Sequence, residues 1–118
     1  MLKESYVAKL KTLPEDAIKV EVGHPSIFAP SEDLLSDFNE LKLELMKKGK
    51  TEPEARRRAW GQTNFEKRYR KRIMSNPKLI NKLKEIRKLS EKKDVYLYCY
   101  CGKTLCPRFI LMDIIKKM

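Results

Sequence analysis

The stretch VYLYCYC at residues 95–101 is the strongest strand signal in the chain. Its two alternating sets of side chains are all apolar or aromatic, a pattern typical of a central strand that is covered on both faces. Gly102 and Lys103 then predict a turn, and the apolar spacing from 105 to 117 predicts a helix. The inward positions of that helix are expected to be Ile110, Leu111, Ile114 and Ile115.

Two more strands and four more helices are predicted upstream of this unit. Alternating apolar residues predict strands at 5–10 and 17–22. Gly61 is expected to interrupt a helix, and Leu89 is expected to face inward. Capping residues and apolar residues at helical spacing predict helices at 31–48, 51–60, 64–75 and 76–89.

Strands interleaved with helices favour an α/β layer fold. We therefore expect a small three-layer fold with a short, mainly parallel sheet flanked by helices. The chain has 118 residues, a length that suits one domain, and the expected domain is 1–118.

The positive charge is concentrated in one segment. The formal net charge is +11, and residues 47–93 alone carry 18 Lys and Arg against 5 Asp and Glu. Such a field attracts phosphate polymers, so Arg57, Arg68 and Arg72 are candidate contacts for a nucleic acid. A solvated helix face and an acidic protein partner are the alternatives. Trp60, Phe65 and Tyr69 lie among these charges at spacings that favour the buried stripe of a helix over stacking on bases.

Composition also bears on where the protein is found. The apolar runs are too short to span a membrane, and the N-terminus shows no secretory signal. Three cysteines leave at least one unpaired, so we expect a reduced, cytoplasmic protein. The charged fraction of 36% with a single glutamine is typical of thermophile proteins.

The segment from 99 to 108 is the candidate site. It joins the carboxyl end of the central strand to the start of a helix, where open α/β sheets bind ligands and backbone amides favour an anion. Lys103, Thr104 and Arg108 are the candidate anion ligands. Cys106, close to Lys103 and Arg108, is the candidate nucleophile, and His24 is a second candidate catalytic residue. The alternative is that Cys99 and Cys101 are ordinary buried side chains.

Three known motifs are incomplete in this segment. A phosphate-binding P-loop needs a glycine where Leu97 stands, and in a cysteine phosphatase loop counted from Cys101 the arginine comes one position too late, at Arg108. The three cysteines and His24 match no zinc-binding spacing, so no metal and no cofactor are expected.

Several motifs in register resemble a known family. They are Phe28-Ala29-Pro30-Ser31, Leu34-Leu35, Trp60, Phe65-Glu66-Lys67-Arg68-Tyr69, and the strand from Val95 with its downstream cysteine and arginine. In this order they resemble the family called domain of unknown function 488, over roughly residues 5–117. The resemblance implies a small α/β fold with a mainly parallel sheet, and no established activity.

The resemblance also bears on single residues. Many members carry Cys-His-Arg at the last helix start, where this chain has Cys106-Pro107-Arg108. Many also carry an arginine just after the second strand, where this chain has Gly23-His24.

Three functions remain open on the sequence. The first is a module that binds nucleic acid or a nucleotide phosphate through the loop 101–108 and the basic helices 56–72. The second is a small cysteine-dependent enzyme with Cys106, or alternatively Cys101, as nucleophile. The third is an adaptor for an acidic protein partner.

Overall fold

The protein is built around a short parallel sheet. The computed structural model describes residues 1–6, 11–22, 26–99 and 105–118. Within them, the strands β1 (Leu2–Tyr6), β2 (Ile18–Glu21) and β3 (Val95–Cys99) form one sheet in the order β1-β3-β2. Both pairings are parallel. The predicted central strand is thus confirmed, and it is buried along its length except at Tyr98, which is half-buried.

Five helices accompany the sheet in the described residues. Four of them lie between β2 and β3 in the chain, and the fifth follows β3. They are α1 (Glu32–Lys47), α2 (Glu52–Gln62), α3 (Phe65–Met74), α4 (Pro77–Lys92) and α5 (Pro107–Lys116). The prediction of a small α/β fold with a parallel sheet is confirmed. None of these helices is both long and apolar enough to cross a bilayer.

Local capping explains where the long helices begin. The Ser31 side chain accepts a hydrogen bond from the backbone N–H of Leu34 at the start of α1. The Asn76 side chain does the same for Lys78 at the start of α4. Each bond satisfies one of the N–H groups that a helix start leaves unpaired, so the predicted start points are confirmed.

Three predicted details are wrong. The first strand begins at Leu2 rather than at residue 5, because Leu2 pairs with Val95 and packs against the core; residues 7–10 lie outside the described residues. The helix α2 continues through Gly61, since a glycine inside a helix costs only about 1 kcal/mol relative to alanine. Leu89 is 43% exposed, because the buried face of α4 is formed by Leu79, Leu83 and Ile86.

The core joins one face of the sheet to the helices. It contains Val95 and Leu97 of β3, with Leu2, Ile18 and Val20 of the outer strands packed against it. Four aromatic rings extend it between the helices, with Trp60 stacked on Phe65 at 4.1 Å between ring centres. The predicted aromatic stripe therefore belongs to the interior. This packing holds the start of α5 beside the carboxyl end of β3.

Candidate functional site

Two cysteines meet where β3 ends and α5 begins. Cys99 is the last residue of β3, and Cys106 is the N-cap residue of α5. Their sulfur atoms lie 2.8 Å apart, and both side chains are buried. The two residues are not joined in a disulfide. The strand end and the helix start thus create a pair of adjacent thiols.

A buried arginine contacts this pair. Arg108, the second residue of α5, is only 2% exposed. Its Nη1 atom donates a hydrogen bond to the Cys99 sulfur at 2.7 Å, and its Nε atom donates to Oε2 of Glu4 at 3.0 Å. Glu4 lies on β1, directly opposite Leu97 of β3. An arginine stays charged in proteins, so a buried one requires such partners.

The positive charge of Arg108 attracts negative charge on the acidic groups around it. Burial acts to lower the pKa of Arg108, but Cys106, Cys99 and Glu4 outweigh burial and raise it. The same attraction favours negative charge on the sulfurs. The N-terminal end of α5 adds a partial positive charge at Cys106, whose side chain does not cap the helix. The guanidinium and the helix start thus attract negative charge to the sulfurs, whereas the burial of both side chains opposes it.

Tyr69 of α3 shares this buried environment. Its side chain is fully buried, and its hydroxyl donates a hydrogen bond to the backbone oxygen of Phe28 at 2.7 Å. Burial raises the pKa of Tyr69 above its usual range, the charge of Cys106 raises it further, and the cation of Arg72 opposes the shift. Tyr69 is therefore a neutral phenol at physiological pH.

A cavity of about 320 Å³ reaches Cys106. Besides Cys106, its wall includes the aromatic rings of Trp60 and Phe109 and the charged side chains of Glu66, Arg70 and Asp113. Arg70 donates to Oδ2 of Asp113 at 2.7 Å. Hydrogen bonds from Arg70, and next from Lys117, lower the pKa of Asp113. Cys106 lines this cavity, although the residue is only 1% exposed.

Several arginines of the basic segment make contacts within the chain. Arg68 contacts Oδ2 of Asp37 at 2.9 Å, and Nε of Arg72 donates to the backbone oxygen of Ala29 at 3.0 Å. Arg56 donates to the backbone oxygen of Leu105, just before Cys106. Arg57 is exposed. Part of the predicted nucleic-acid surface therefore also holds the fold together.

A second, more open cavity collects basic side chains. It has a volume of about 660 Å³ and lies where α3 gives way to α4. Its wall is formed by Ser31, Arg68, Lys71, Arg72, Ser75, Asn76 and Pro77. Three cations, two hydroxyl side chains and the start of a helix thus converge on one concave surface.

The structure brings together only some of the predicted site residues. Cys106 and Arg108 lie at one site, whereas Arg68 and Arg72 lie at the basic cavity. The candidates His24, Lys103 and Thr104 lie outside the described residues. Among the described side chains, no three His, Cys, Asp or Glu residues converge as metal ligands would.

Sequence reasoning missed three participants in the site. Cys99 lies in the candidate segment but is not among the predicted catalytic or anion-binding residues, and neither Glu4 nor Tyr69 is assigned to the site from the sequence. One available signal was the carboxylate of Glu4, which interrupts the apolar face of an N-terminal strand. The other was Cys99 itself, which ends a strand just before the candidate loop.

Comparisons with known proteins identify the family of this chain. No curated protein and no solved structure shows significant similarity to the chain. The family model DUF488-N3a, described as the active DUF488-N3 subclade, matches residues 26–118. The match covers α1 to α5 and β3, and with them Cys99, Cys106 and Arg108. The chain therefore belongs to the domain of unknown function 488 family.

Proposed function

We propose that this protein is a thiol-dependent enzyme in which Cys106 is the nucleophile. The observation that carries the proposal is the buried guanidinium of Arg108 against the sulfur pair at the start of α5. A positive charge and a helix start are the two features that convert a thiol into the reactive thiolate. The family model's description of an active subclade fits a catalytic role.

The cavity supplies the other elements that such a reaction needs. A thiolate at Cys106 attacks an electrophilic centre of the substrate, and the leaving group departs with the bonding electron pair. Water then releases the product from the sulfur and regenerates Cys106. Trp60 and Phe109 offer apolar surface for the substrate, and the Asp113 carboxylate, paired with Arg70, lies on the same wall as a polar group that can orient it.

Arg108 acts through Cys99 as a positioning residue. Its guanidinium contacts the Cys99 sulfur, which in turn contacts Cys106. The hydrogen bond to Glu4 fixes the plane of the guanidinium against the sheet. Removing the charge at position 108 should therefore change the protonation of Cys106 without changing the cavity itself.

The test follows the rate of Cys106 alkylation by iodoacetamide as a function of pH, with the modified peptides identified by mass spectrometry. In the folded protein, the reaction at Cys106 should have its midpoint below the value of about 8.5 that is typical of an unperturbed thiol. The same cysteine in urea provides the unperturbed curve. Arg108→Gln should move the midpoint upward, and Arg108→Lys should move it less. Circular dichroism verifies that each variant is folded.

A second assay detects covalent catalysis. With p-nitrophenyl acetate, the thiolate should attack the carbonyl carbon, release one equivalent of p-nitrophenolate and form a thioester. Cys106→Ser should abolish this burst, whereas Cys101→Ser serves as the matched control. A Cys106 alkylation curve that coincides in folded and urea-unfolded protein would overturn the proposal.

The basic cavity favours a second candidate function, the binding of a phosphate group on a nucleic acid. Arg68, Lys71 and Arg72 surround a concave surface that also offers the hydroxyls of Ser31 and Ser75. Cations and hydroxyls of this kind are common phosphate ligands. Arg108 is buried between Cys99 and Glu4 and takes no part in this surface.

Binding of a fluorescent single-stranded oligonucleotide, measured over a range of salt concentrations, tests this second function. Affinity should fall steeply as salt rises, and Lys71→Gln should reduce the slope of log affinity against log salt by about 1. Lys88→Gln, an exposed lysine of α4 outside the cavity wall, is the matched control. Equal slopes for the two variants would exclude a specific role for the cavity.

A further inference from the structure

We infer that Cys99 and Cys106 form a reversible intramolecular disulfide, so that the site has a dithiol and an oxidised state. The two sulfurs are 2.8 Å apart in the reduced protein, and a disulfide bond spans about 2.05 Å. The gap closes with a displacement of less than about 1 Å. The inference rests on this pair alone and holds whether or not Cys106 is a catalytic nucleophile.

The fold holds both partners in place before any oxidation occurs. Cys99 is held by the parallel pairing of β3 with β1, in which it lies opposite Tyr6. Cys106 is fixed at the start of α5, which packs against β1 and β3, and Arg56 binds the backbone oxygen of the preceding residue, Leu105. Two thiols held at contact distance need little chain rearrangement to join.

The surroundings divide the roles between the two sulfurs. Cys106 lies on the wall of the 320 Å³ cavity, so it is the sulfur that a small oxidant meets. Cys99 lies behind it against Arg108 and is the resolving thiol. The guanidinium favours the thiolate form, and the thiolate is the form that attacks both peroxides and disulfides.

Hydrogen peroxide is the simplest oxidant for this pair. The Cys106 thiolate attacks one peroxide oxygen, the O–O bond breaks, and hydroxide leaves with the electron pair, so that Cys106 becomes a sulfenic acid. Cys99 then attacks the Cys106 sulfur, the S–O bond breaks, and the oxygen leaves as water. In total the dithiol loses two electrons and two protons, and one peroxide becomes two waters.

Oxidation would change the charge of the site. A disulfide carries no negative charge, so Arg108 would keep Glu4 as its anionic partner and lose the attraction of a thiolate. The nucleophile of the proposed enzyme would be blocked at the same time. A dithiol reductant would restore both sulfurs by thiol–disulfide exchange.

Trypsin allows a direct test in a Cys101→Ser background, which removes the third cysteine. Cleavage after Lys93, Lys103 and Arg108 separates the two cysteines into peptides 94–103 and 104–108. After one equivalent of hydrogen peroxide, followed by iodoacetamide, these peptides should appear cross-linked and lighter by two hydrogens. Dithiothreitol should then return both as fully alkylated peptides.

The matched control is Cys99→Ala in the same background. Without the resolving thiol, Cys106 should advance to sulfinic acid when two or more equivalents of hydrogen peroxide are added, because each of the two oxidation steps consumes one peroxide. The fraction recovered by dithiothreitol should then fall to nearly zero, whereas the disulfide of the parent protein should remain recoverable. Circular dichroism verifies folding, and unfolded protein in urea gives the level of cross-linking without preorganisation.

Three results would overturn the inference. They are cross-linking no faster in the folded protein than in urea, cross-links only between two chains, and sulfinic acid at Cys106 while Cys99 stays a thiol. None of these results depends on the alkylation curve of Cys106, so failure here is distinguishable from failure of the proposed enzyme.

Discussion

Replacing Tyr69 by phenylalanine should destabilise the protein at neutral pH and stabilise it at high pH. The variant loses the hydrogen bond of 2.7 Å to the Phe28 oxygen and leaves that oxygen buried without this donor. Such a loss costs about 1–3 kcal/mol, and we take about 1.5 kcal/mol as the working value. For a chain of this size, that corresponds to a fall in Tm of about 6 °C.

The pH dependence follows from the ionisation of the phenol. Burial, and after it the charge of Cys106, raises the pKa of Tyr69 in the folded state, although Arg72 opposes the shift. The unfolded chain has the usual tyrosine pKa of about 10. The contribution of Tyr69 is therefore fully present below pH 10 and is lost progressively above it. The loss is about 1.4 kcal/mol for each further pH unit.

The lost hydrogen bond and the ionisation of Tyr69 change the stability difference between variant and wild type in opposite directions, so they cancel at one pH. A deficit of about 1.5 kcal/mol at neutral pH is cancelled about one pH unit above 10, so the variant and the wild type should be equally stable near pH 11. At higher pH the variant should be the more stable protein. All other titrating groups are shared, so they cancel in the difference.

Urea unfolding followed by circular dichroism at pH 7, 9, 10, 11 and 11.5 measures this difference. Ile73→Val is the matched control, because Ile73 lies on the same helix, is fully buried and does not titrate. The free energy of unfolding of this control should be about 1 kcal/mol below that of the wild type at every pH. A constant deficit for Tyr69→Phe as well would refute the assigned pKa shift. No deficit at pH 7 would refute the role of the hydrogen bond.

Three other changes test the fold by urea unfolding. Leu97→Ala empties a fully buried position of the central strand and should lower the free energy of unfolding by about 2–5 kcal/mol, whereas Leu97→Met should cost less than about 1.5. Ser31→Ala removes the acceptor for the N–H of Leu34 and should lower the free energy of unfolding by about 1 kcal/mol. Ser31→Thr keeps a hydroxyl acceptor and should retain most of that stability. Arg70 and Lys117 lower the pKa of Asp113 below its ordinary 3.8, so the stabilisation from this carboxylate is present above that pH and is lost as pH falls. Asp113→Asn should therefore be less stable than wild type at pH 7 and equal to it near pH 2; a gap that persists at low pH would show that charge is not the cause.

The helices and the central strand could be predicted because their signals are local. Ser31 and Asn76 cap helices through bonds to residues two or three positions away, and the apolar spacing beyond them is visible in one window. The run from residue 95 is apolar at every position, and such a run suits only a strand with neighbours on both sides. The same reliance on local signals explains the wrong prediction that Gly61 interrupts a helix. The low helix propensity of glycine is a weak effect, and packing outweighs it there.

The contact between Arg108, Glu4 and the two cysteines could not be predicted, because it depends on the register between β1 and β3. Arg108 meets Glu4 only because β1 pairs with β3 so that Glu4 lies opposite Leu97. A shift by one residue would turn Glu4 to the other face, and no feature of the isolated strand sets its register against a partner 93 positions away. Tyr69 likewise reaches the Phe28 oxygen across 41 positions.

The position of β3 between β1 and β2 has a consequence for the newly made chain. Neither outer strand can form its hydrogen-bonded pair until residues 95–99 have been synthesised and have left the ribosome. At about 5–20 residues per second, the strand at Leu2–Tyr6 waits roughly 5–20 seconds for its partner, while the helices from α1 to α4 emerge in turn. During that time its edge is open to any other nascent strand nearby. The appearance of residues 95–99 thus decides when β1 is protected from aggregation through its unpaired edge.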